Sequence, residues 1–425
     1  MRTSCRVALT LGTLVGTFAM TSLVAAAPAS AHEVRTRKVV ASKLVRTNAV
    51  ANWSKIASTR SRFVKPALTT TTAPAPAPAP APAAPSLAWK GAQVHVLWDA
   101  GTEAEVDRQV GLLASLGANT ARVDVAWASL QESGPTSWTS WYVQRLDTFV
   151  AKANAKGITP LITLDETPCW ASSAPETLKQ GCTGRYWDRR TQDWAPTDAG
   201  DFARAAAWVA KRYAGKIAAL ELWNEPNYDD YGTVNLRTES VGTTKAVAYA
   251  RMVEAAYPAV KAVAPSVPVL AGALSYADTG FYNALVAAGL KSYDGFSVHP
   301  YTDGRSPDAV GSAEWRKVDF SAGMVAFRAA MVAKGQGAKP LWITEAGWTN
   351  CTAGSMMCVS ETEQAAWTAR SVTIARSWPW LKAYYSYTLL DGGTDRTYSE
   401  DNFGLVRTTG AAKPVYGALK SAFAA

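Results

Sequence analysis

The sequence reads Leu-Trp-Asn-Glu-Pro-Asn at residues 222–227 and Leu-Trp-Ile-Thr-Glu-Ala-Gly-Trp at residues 341–348. In each stretch a glutamate, Glu225 or Glu345, ends a short apolar run that is typical of a buried strand. Pro or Ala-Gly follows each glutamate, and a strand ends at such residues. Two glutamates at the ends of two parallel strands are expected to face each other across one pocket.

Strand-like and helix-like segments alternate from about residue 90 onward. The hydrophobic pattern predicts eight strands, over 93–97, 120–126, 159–164, 218–223, 267–271, 295–299, 340–344 and 383–389. It predicts a helix after each strand, over 103–116, 140–156, 199–213, 245–263, 280–288, 320–334, 361–376 and 414–423. Eight strand–helix pairs predict a (β/α)8 TIM barrel, whose functional groups gather at the C-terminal ends of the strands, where both glutamates fall.

The chain before the barrel is predicted to have two parts. Residues 1–31 have the pattern of a secretory signal peptide, because a charged start precedes an uncharged run and a small-residue cleavage site. An uncleaved membrane anchor is the alternative for that run. Residues 32–88 are predicted to be a disordered basic arm with a stiff Ala-Pro linker over 73–85. Residues 89–425 form the predicted barrel domain. We expect a secreted protein, with association with the cell surface left open.

The formal net charge of +9 belongs almost entirely to the N-terminal arm. Residues 32–66 contain nine Lys or Arg against one glutamate, so the barrel domain is close to neutral. A neutral domain argues against binding to a phosphate backbone, and we expect no nucleic-acid partner. We expect the arm to contact an anionic cell wall or surface, with a merely solvated arm as the alternative. The protein is expected to be a monomer.

The cysteines predict disulfide bonds. Four cysteines follow the signal segment, and an even number is typical of an oxidising compartment. Three connectivities are open, and we favour Cys169–Cys182 and Cys351–Cys358 because each pair closes a short loop after a predicted strand. No cysteine lies in a CxxC pair and the chain has three histidines, so we predict no metal site and no organic cofactor.

The barrel segment resembles the retaining glycoside hydrolases of clan A, which are (β/α)8 enzymes with glutamates after strands four and seven. The resemblance rests on Trp-Asn-Glu-Pro at residues 223–226 and Ile-Thr-Glu-Ala-Gly-Trp at residues 343–348, and covers about residues 90–425. Within the clan the chain is most similar to family 39 and family 5, and Thr-Pro-Cys-Trp-Ala-Ser at 167–172 and Asn-Phe-Gly-Leu at 402–405 favour the family 39-like side. The resemblance implies a β-glycosidase that cleaves O-glycosidic bonds in polysaccharides or oligosaccharides by double displacement, and the signal-like N-terminus predicts that it is secreted.

The resemblance also implies roles for four residues at the strand ends. Glu225 would be the acid/base and Glu345 the nucleophile, so that one carboxyl gives a proton while the other attacks the sugar carbon. Asn224 would bind the sugar 2-hydroxyl, and Arg122 would hold the nucleophile ionised. We expect only Arg122, and not Asp124, to face the barrel interior, because adjacent strand residues point to opposite faces.

Four more polar residues are predicted near the sugar from their places on the strands. His299 and Tyr301 follow the sixth strand and are expected near the nucleophile, with a satisfied core histidine as the alternative for His299. His95 on the first strand and Asp165 at the end of the third are expected to reach the sugar, with packing inside the strands as the leading alternative.

Aromatic residues after the strands are predicted to stack on the substrate, since an indole face suits the apolar face of a pyranose. Trp127, Trp170 and Trp348 follow strands two, three and seven and are the expected platforms. Clan members often carry a tryptophan at the end of strand eight, and here Tyr387 would take its place. Asp391 follows the same strand and is a further candidate for binding a sugar hydroxyl.

Three other functions stay open at the level of the sequence. A non-catalytic carbohydrate-binding barrel would keep the fold without turnover, and a wall-associated structural protein would act through its basic arm. A transglycosylase would use the same two glutamates but let a sugar intercept the covalent intermediate in place of water. The sugar, the linkage and endo or exo action depend on loop geometry.

Overall fold

The computed structural model describes residues 87–98, 100–184, 186–228, 236–352 and 357–425, without the side chains of Tyr186 and Trp315. The predicted signal peptide and all but the last two residues of the predicted arm lie outside the described residues. Among the residues described, no helix combines the length and the apolar character that crossing a membrane requires.

Eight parallel strands close into a barrel in chain order. The strands β1 to β8 are Trp89–Val94, Thr120–Ala126, Thr159–Asp165, Ala219–Leu222, Val269–Ser275, Gly295–His299, Leu341–Ala346 and Leu381–Ser386. β1 pairs with β2 on one side and with β8 on the other, which completes the closure. The predicted barrel architecture is confirmed.

Helices surround the barrel. In the described part of the chain, α1 to α10 are Glu103–Leu116, Trp127–Leu130, Ser140–Ala155, Glu176–Lys179, Ala199–Arg212, Lys245–Val263, Thr279–Ala287, Phe320–Ala333, Glu361–Arg376 and Pro414–Ala424. α2 and α4 are single turns of four residues within loops, and the other helices match the predicted ones closely. Side-chain caps begin several long helices, including Thr102 of α1, Asp198 of α5 and Ser360 of α9.

The barrel interior changes from apolar to polar along the strands. An apolar cluster fills its lower part and consists of Leu161, Ala219, Leu270, Trp342, Ala383 and Tyr385. Side chains on one strand face alternate by two residues, so the inward residues that follow are Thr163 on β3, Glu221 on β4 and Thr344 on β7. All three are fully buried. The polar side chains of the barrel interior therefore lie towards the C-terminal ends of the strands, above a layer of apolar side chains.

β8 begins two residues and ends three residues before its predicted bounds, and β3, β4 and β7 differ from theirs by one or two residues. β1 and β5 also differ, and for local reasons. β1 begins earlier than predicted. Its early part contains Gly91, where a Cβ would lie 2.1 Å from the carbonyl oxygen of Thr120 on β2, so only glycine fits there. The hydrophobic pattern missed this part of the strand because a glycine weakens the pattern. β5 extends further than predicted because its register shifts between Ala271 and Leu274, at a bulge that breaks the two-residue alternation.

Both predicted disulfide bonds are present. Cys169 is bonded to Cys182 in the loop after β3, and Cys351 is bonded to Cys358 in the loop after β7. Each bond therefore closes a short loop at the C-terminal face of the barrel.

Candidate active site

Strained backbone after β4 positions Glu225. Trp223 and Glu225 adopt left-handed φ angles of 73° and 43°, a conformation that costs free energy for any residue with a side chain. The backbone N–H of Glu225 donates to the carbonyl oxygen of Ala273 at 2.9 Å. Ala273 lies in the bulge of β5 and has a left-handed φ of 46° itself. The turn after β4 and the bulge in β5 together hold Glu225 at the mouth of the barrel.

A cavity of about 420 Å³ opens at the C-terminal ends of the strands. Its carboxyl groups come from Asp124, Glu225, Glu345 and Glu400, and the described lining residues include no lysine or arginine. The other lining residues are His95, Asn224, Tyr228, Ser275, Tyr276, Tyr301, Met357, Tyr387, Tyr398, Ser399 and Phe403. The wall is therefore acidic and rich in aromatic rings.

The two glutamates that the sequence singled out meet in this cavity. Glu225 and Glu345 are each 7% exposed. His299 Nδ1 lies 2.9 Å from Glu225 Oε1 and 3.6 Å from Glu345 Oε2. One carboxyl oxygen of each glutamate and a ring nitrogen of His299 lie within 4.8 Å of one another. Both carboxyls can thus reach one bond of a bound molecule.

Glu345 is held by two hydrogen-bond donors. Arg122 Nη1 donates to Glu345 Oε1 at 2.6 Å, and the hydroxyl of Tyr301 donates to Glu345 Oε2 at 2.7 Å. Burial raises the pKa of Glu345, while His299 and Arg122 act in the opposite direction. Because both bonded groups are donors, they favour the ionised carboxylate, which accepts on both oxygens.

Glu225 lies in a different electrostatic environment. Burial raises the pKa of Glu225 to about 7, with Arg122 acting against the shift and Asp124 adding to it. Arg122 makes no direct hydrogen bond to this carboxyl, which instead faces the ring of His299. A carboxyl with a pKa near neutrality can both give and take a proton.

Arg122, on β2, makes hydrogen bonds to residues on β4 and β7. The guanidinium is fully buried and, besides Glu345 on β7, donates from Nε to Glu221 Oε2 on β4 and from Nη2 to Asn224 Oδ1, each at 2.8 Å. Burial opposes ionisation of Glu221, but Arg122 and His299 outweigh burial and lower the pKa of that carboxyl. Glu221 is a site residue that the sequence analysis did not single out.

The prediction that only Arg122 faces the interior was wrong. Asp124 also points inward, lines the cavity, and lies with Oδ1 at 3.1 Å from Arg122 Nη1. Residues 122 and 124 are two positions apart on β2, so the alternation of the strand puts them on the same face. Gln93 on β1 donates to the other oxygen of Asp124 and accepts from Arg122.

His299 lies between the two carboxyls and contacts both through Nδ1. Its Nε2 lies 3.1 Å from Thr344 Oγ1, and burial lowers the pKa of the imidazole. Within the described residues, Glu225, His299 and Glu345 form the one group of His, Cys, Asp and Glu side chains close enough to hold a metal ion. A cation there would compete with the guanidinium of Arg122 for Glu345.

None of the three predicted tryptophan platforms is among the described residues that line the cavity. Trp127 and Trp348 are buried, so the stacking role predicted for these two was wrong. Trp348 is 3% exposed, and its indole N–H donates to Thr302 and Arg305. Trp170 donates to the carbonyl of Gln131 and packs edge-on against the fully buried Trp127. Trp127 and Trp348 lie in the layer beneath the loops, because a bulky residue within two positions of a strand end is still inside the fold, whereas Trp170 is half-buried.

Two carboxylates predicted as sugar ligands are also absent from the lining. Asp391 pairs with Lys413 and accepts from the backbone N–H of Gly404, so it orders the loop after β8. Asp165 is buried at the end of β3, and burial raises its pKa well above the ordinary value. Neither side chain is among the residues that line the cavity.

The other predicted binding residues do converge. Asn224, His95, Tyr301 and Tyr387 line the cavity together with the two glutamates, while Arg122 and His299 lie directly beneath them. Tyr387 packs against Tyr301 and Phe403, its hydroxyl donates to Glu400 at 3.3 Å, and the peptide bond that follows it is cis.

Sequence reasoning missed several wall residues. Tyr276 follows β5 with a left-handed φ of 58°, and its hydroxyl donates to Asp303 at 2.8 Å. Tyr398 and Glu400 come from the long connection after β8, where Glu400 lies in a single 3-10 turn, Ser399–Asn402, that the hydrophobic pattern does not predict. The one feature of the sequence that could have indicated these residues is that each follows the C-terminal end of a barrel strand, where the functional loops of such barrels lie.

Comparison of the sequence with known families decides the classification. Residues 80–387 match the sequence model of the family described as cellulase (glycosyl hydrolase family 5). The chain belongs to glycosyl hydrolase family 5. This family 5 protein is therefore a glycosidase, and its resemblance to clan A is confirmed. A search among curated proteins finds no match.

Solved structures share the barrel of this family 5 protein. A family 39 glycoside hydrolase from the gut symbiont Bacteroides cellulosilyticus superposes with a TM-score of 0.57 at 23% identity, over 78% of this chain and 62% of that one, less than two thirds of its length. A GH5_18 protein from Streptomyces cattleya in complex with Manβ1-4GlcNAc gives 0.58 at 14% identity, over 80% of each chain. An exo-β-1,4-mannosidase from an Opitutaceae bacterium gives 0.52 at 16%, over 80% of this chain and 60% of that one. At such identities the likeness concerns the fold.

Proposed function

We propose that this family 5 protein is a retaining β-glycoside hydrolase with Glu225 as acid/base and Glu345 as nucleophile. The observation that carries the proposal is the meeting of the two buried carboxyls in one cavity, with an oxygen of each within 4.8 Å of the other. Carboxyl groups lie roughly 5–5.5 Å apart in retaining enzymes and about 6.5–9.5 Å apart in inverting ones. The short separation supports double displacement.

In the first step Glu345 attacks the anomeric carbon of the sugar. A bond forms between a carboxylate oxygen and that carbon, the bond to the leaving oxygen breaks, and Glu225 gives its proton to the leaving oxygen. The two roles suit the two environments. Glu345 is bonded to donors that favour its ionised form, whereas burial raises the pKa of Glu225 to about 7 and keeps a proton available.

In the second step water releases the sugar from Glu345. Glu225, now ionised, accepts a proton from the water that attacks the anomeric carbon, and the carboxylate of Glu345 leaves. Asn224 is positioned to bind the sugar 2-hydroxyl throughout. Because its carbonyl oxygen accepts from Arg122, its amide N–H groups remain for the cavity that the residue lines.

The substrate is proposed to be a β-linked polysaccharide or oligosaccharide. Fold neighbours include a protein bound to Manβ1-4GlcNAc and an exo-β-1,4-mannosidase, which makes mannosides, glucosides and xylosides sensible first probes.

Secretion is proposed from the signal-like start, and the two disulfide bonds support an oxidising compartment. We propose that the basic arm contacts an anionic surface and that the protein is a monomer.

The mechanism is tested with a panel of aryl β-glycosides. NMR of the first-formed product should show the same anomeric configuration as the substrate, and inversion would overturn the assignment. A 2-deoxy-2-fluoro glycoside with a good leaving group should add one sugar mass to the protein, on the peptide that contains Glu345. Glu345→Ala should lose at least about 10³-fold in kcat, whereas Glu314→Ala, an exposed glutamate outside the cavity, should keep it.

The same panel separates the alternatives. No turnover of any glycoside by the wild-type protein would favour the carbohydrate-binding barrel. Products longer than the substrate, formed when an acceptor sugar is added, would assign transglycosylation through the same intermediate.

A further inference from the structure

Three large aromatic side chains are exposed among the described residues. Trp98 is 50% exposed, Trp141 is 53% exposed and Tyr398 is 52% exposed. Trp98 lies in the loop after β1, Trp141 is the second residue of α3 after β2, and Tyr398 lies in the loop after β8. β8, β1 and β2 are neighbours in the barrel. All three rings therefore occupy one sector of the face that carries the cavity.

The inner part of this sector is continuous with the cavity. Tyr398 and His95 both line the cavity wall. The ring of Trp98 lies next to that of His95, with the ring centroids 5.5 Å apart. Trp98 thus stands at the rim, with one side towards the site and half of its surface in water.

The outer part of the sector is a groove between the β1 loop and α3. Its volume is about 490 Å³, and its walls include Val96 and Ala100 on one side and Trp141 and Arg145 on the other. The guanidinium of Arg145 donates to the carbonyl oxygens of Val96 and Ala100, which flank Trp98 in the sequence. These bonds fix the loop that carries Trp98 against the helix that carries Trp141.

We propose that Trp98 and Trp141 form a stacking surface for a β-linked polysaccharide whose chain continues from the cavity across β1 and β2. The proposal rests on the proposed glycosidase function and narrows its substrate to a chain longer than the cavity can hold. An indole face covers the apolar face of a pyranose while the sugar hydroxyls stay in water.

The chemistry of the sector favours a sugar chain over a protein partner. Trp141 lines the groove, Tyr398 lines the cavity, and Trp98 contacts His95 of the cavity wall, so the three rings do not form one flat apolar patch. The fixed loop geometry also suits a stiff polymer, because ring positions that are already set cost little conformational entropy on binding.

The test compares short and long substrates of the same sugar. The probes are p-nitrophenyl β-glycosides and the β-1,4-linked hexasaccharides of glucose, mannose and xylose. In Trp141→Ala and in Trp98→Ala, the ratio of kcat/KM for the hexasaccharide to kcat/KM for the aryl glycoside should fall about tenfold, mainly through KM, which matches one lost ring contact. Trp141→Tyr should restore most of the ratio. Val332→Ala, an equally exposed apolar residue on α8, should leave it unchanged.

Three results would overturn the stacking surface. The first is an equal loss on both substrates, and the second is no change in the ratio. The third is a dimer in size-exclusion chromatography that Trp141→Ala converts to a monomer, which would assign the ring to an interface. If the wild-type protein turns over neither substrate, the proposed function fails separately. The surface is then tested by native electrophoresis in gels containing hydroxyethyl cellulose or galactomannan, where the wild type should be retarded and Trp141→Ala should not, and equal mobility counts against it.

Discussion

Glu225 carries the titration that should govern activity. Burial raises its pKa to about 7, and a general acid must hold its proton as the glycosidic oxygen leaves. We expect kcat/KM to fall as the pH rises above about 7, because the protonated fraction of Glu225 is lost. This alkaline fall is measured in a pH–rate profile of the wild type with a substrate whose leaving group is poor. A dinitrophenyl glycoside needs no proton from the enzyme, so the Glu225→Gln variant should turn it over without the alkaline fall. A fall that persists in this variant would assign the titration to another group.

The same carboxyl should lower stability at high pH. Its pKa is raised from the ordinary 4.5 to about 7, so its contribution to folding is fully present below pH 4.5 and is lost as the pH rises through 7. Glu225→Gln should therefore be more stable than the wild type at pH 8, by about 1–3 kcal/mol, and nearly equal at pH 4. Urea unfolding at both pH values measures the difference, with Glu314→Gln as the exposed control. Equal stability at pH 8 would contradict the buried, raised carboxyl.

Arg122 should not tolerate replacement by lysine. A single ammonium cannot donate to Glu345, Glu221 and Asn224 together, as the planar guanidinium does. We expect Arg122→Lys to lower kcat/KM at least about 100-fold. The acidic limb of the pH profile should move to higher pH, because Glu345 loses a donor that lowers its pKa. An acidic limb that stays in place would show that Arg122 acts on structure alone, and circular dichroism checks the fold.

Among the elements, the bulged strand β5 positions the site most directly, because its backbone accepts a hydrogen bond from Glu225. Gly272 has a φ of 118°, and a Cβ there would lie 2.3 Å from the carbonyl oxygen of Ser297. Its neighbour Ala273 accepts the backbone hydrogen bond of Glu225. Gly272→Ala should therefore destabilise the protein by about 3 kcal/mol or more and lower kcat by displacing Glu225.

The control for this substitution is Gly111→Ala in α1, where a Cβ meets nothing within 4 Å and φ is not left-handed. That change should raise stability by about 0.5–1 kcal/mol, since alanine is the better helix former, and leave kcat as it was. Thermal unfolding and aryl glycoside turnover measure both variants. If the two variants have the same stability and the same kcat, the bulge does not position Glu225.

Elements with an uninterrupted hydrophobic period could be predicted from the sequence, whereas irregular ones could not. β2, β6, α1, α6 and α9 have the predicted bounds. β1 and β5 do not, because each contains a glycine that a neighbouring strand requires. In the site, Glu225 and Glu345 were found from their strand positions, and Arg122 from the resemblance to clan A. The tryptophans were misjudged because the direction of a side chain beneath a loop depends on tertiary packing, which no local pattern records.

At the scale of the whole molecule, the barrel should be active without the N-terminal segment. The family match begins at residue 80, and the cavity-lining residues in the described part of the chain all belong to the barrel domain. Protein that starts at residue 86 should keep kcat/KM on an aryl glycoside within about twofold. Its binding to anionic vesicles or teichoic-acid-coated beads should be weaker than that of protein starting at residue 32, and salt should reduce the difference. Loss of aryl glycoside turnover on truncation would place part of the catalytic unit before the barrel.

The acidic wall of the cavity has a consequence for the material that the enzyme can degrade. Asp124 and Glu400 add negative charge beside the two central carboxyls, and no lysine or arginine is among the described residues that line it. A chain decorated with uronate or sulfate groups would meet repulsion at the entrance, which dissolved salt would partly relieve. Uncharged hemicelluloses would enter without that barrier, so pectin-like or sulfated material in a mixed matrix should be left behind.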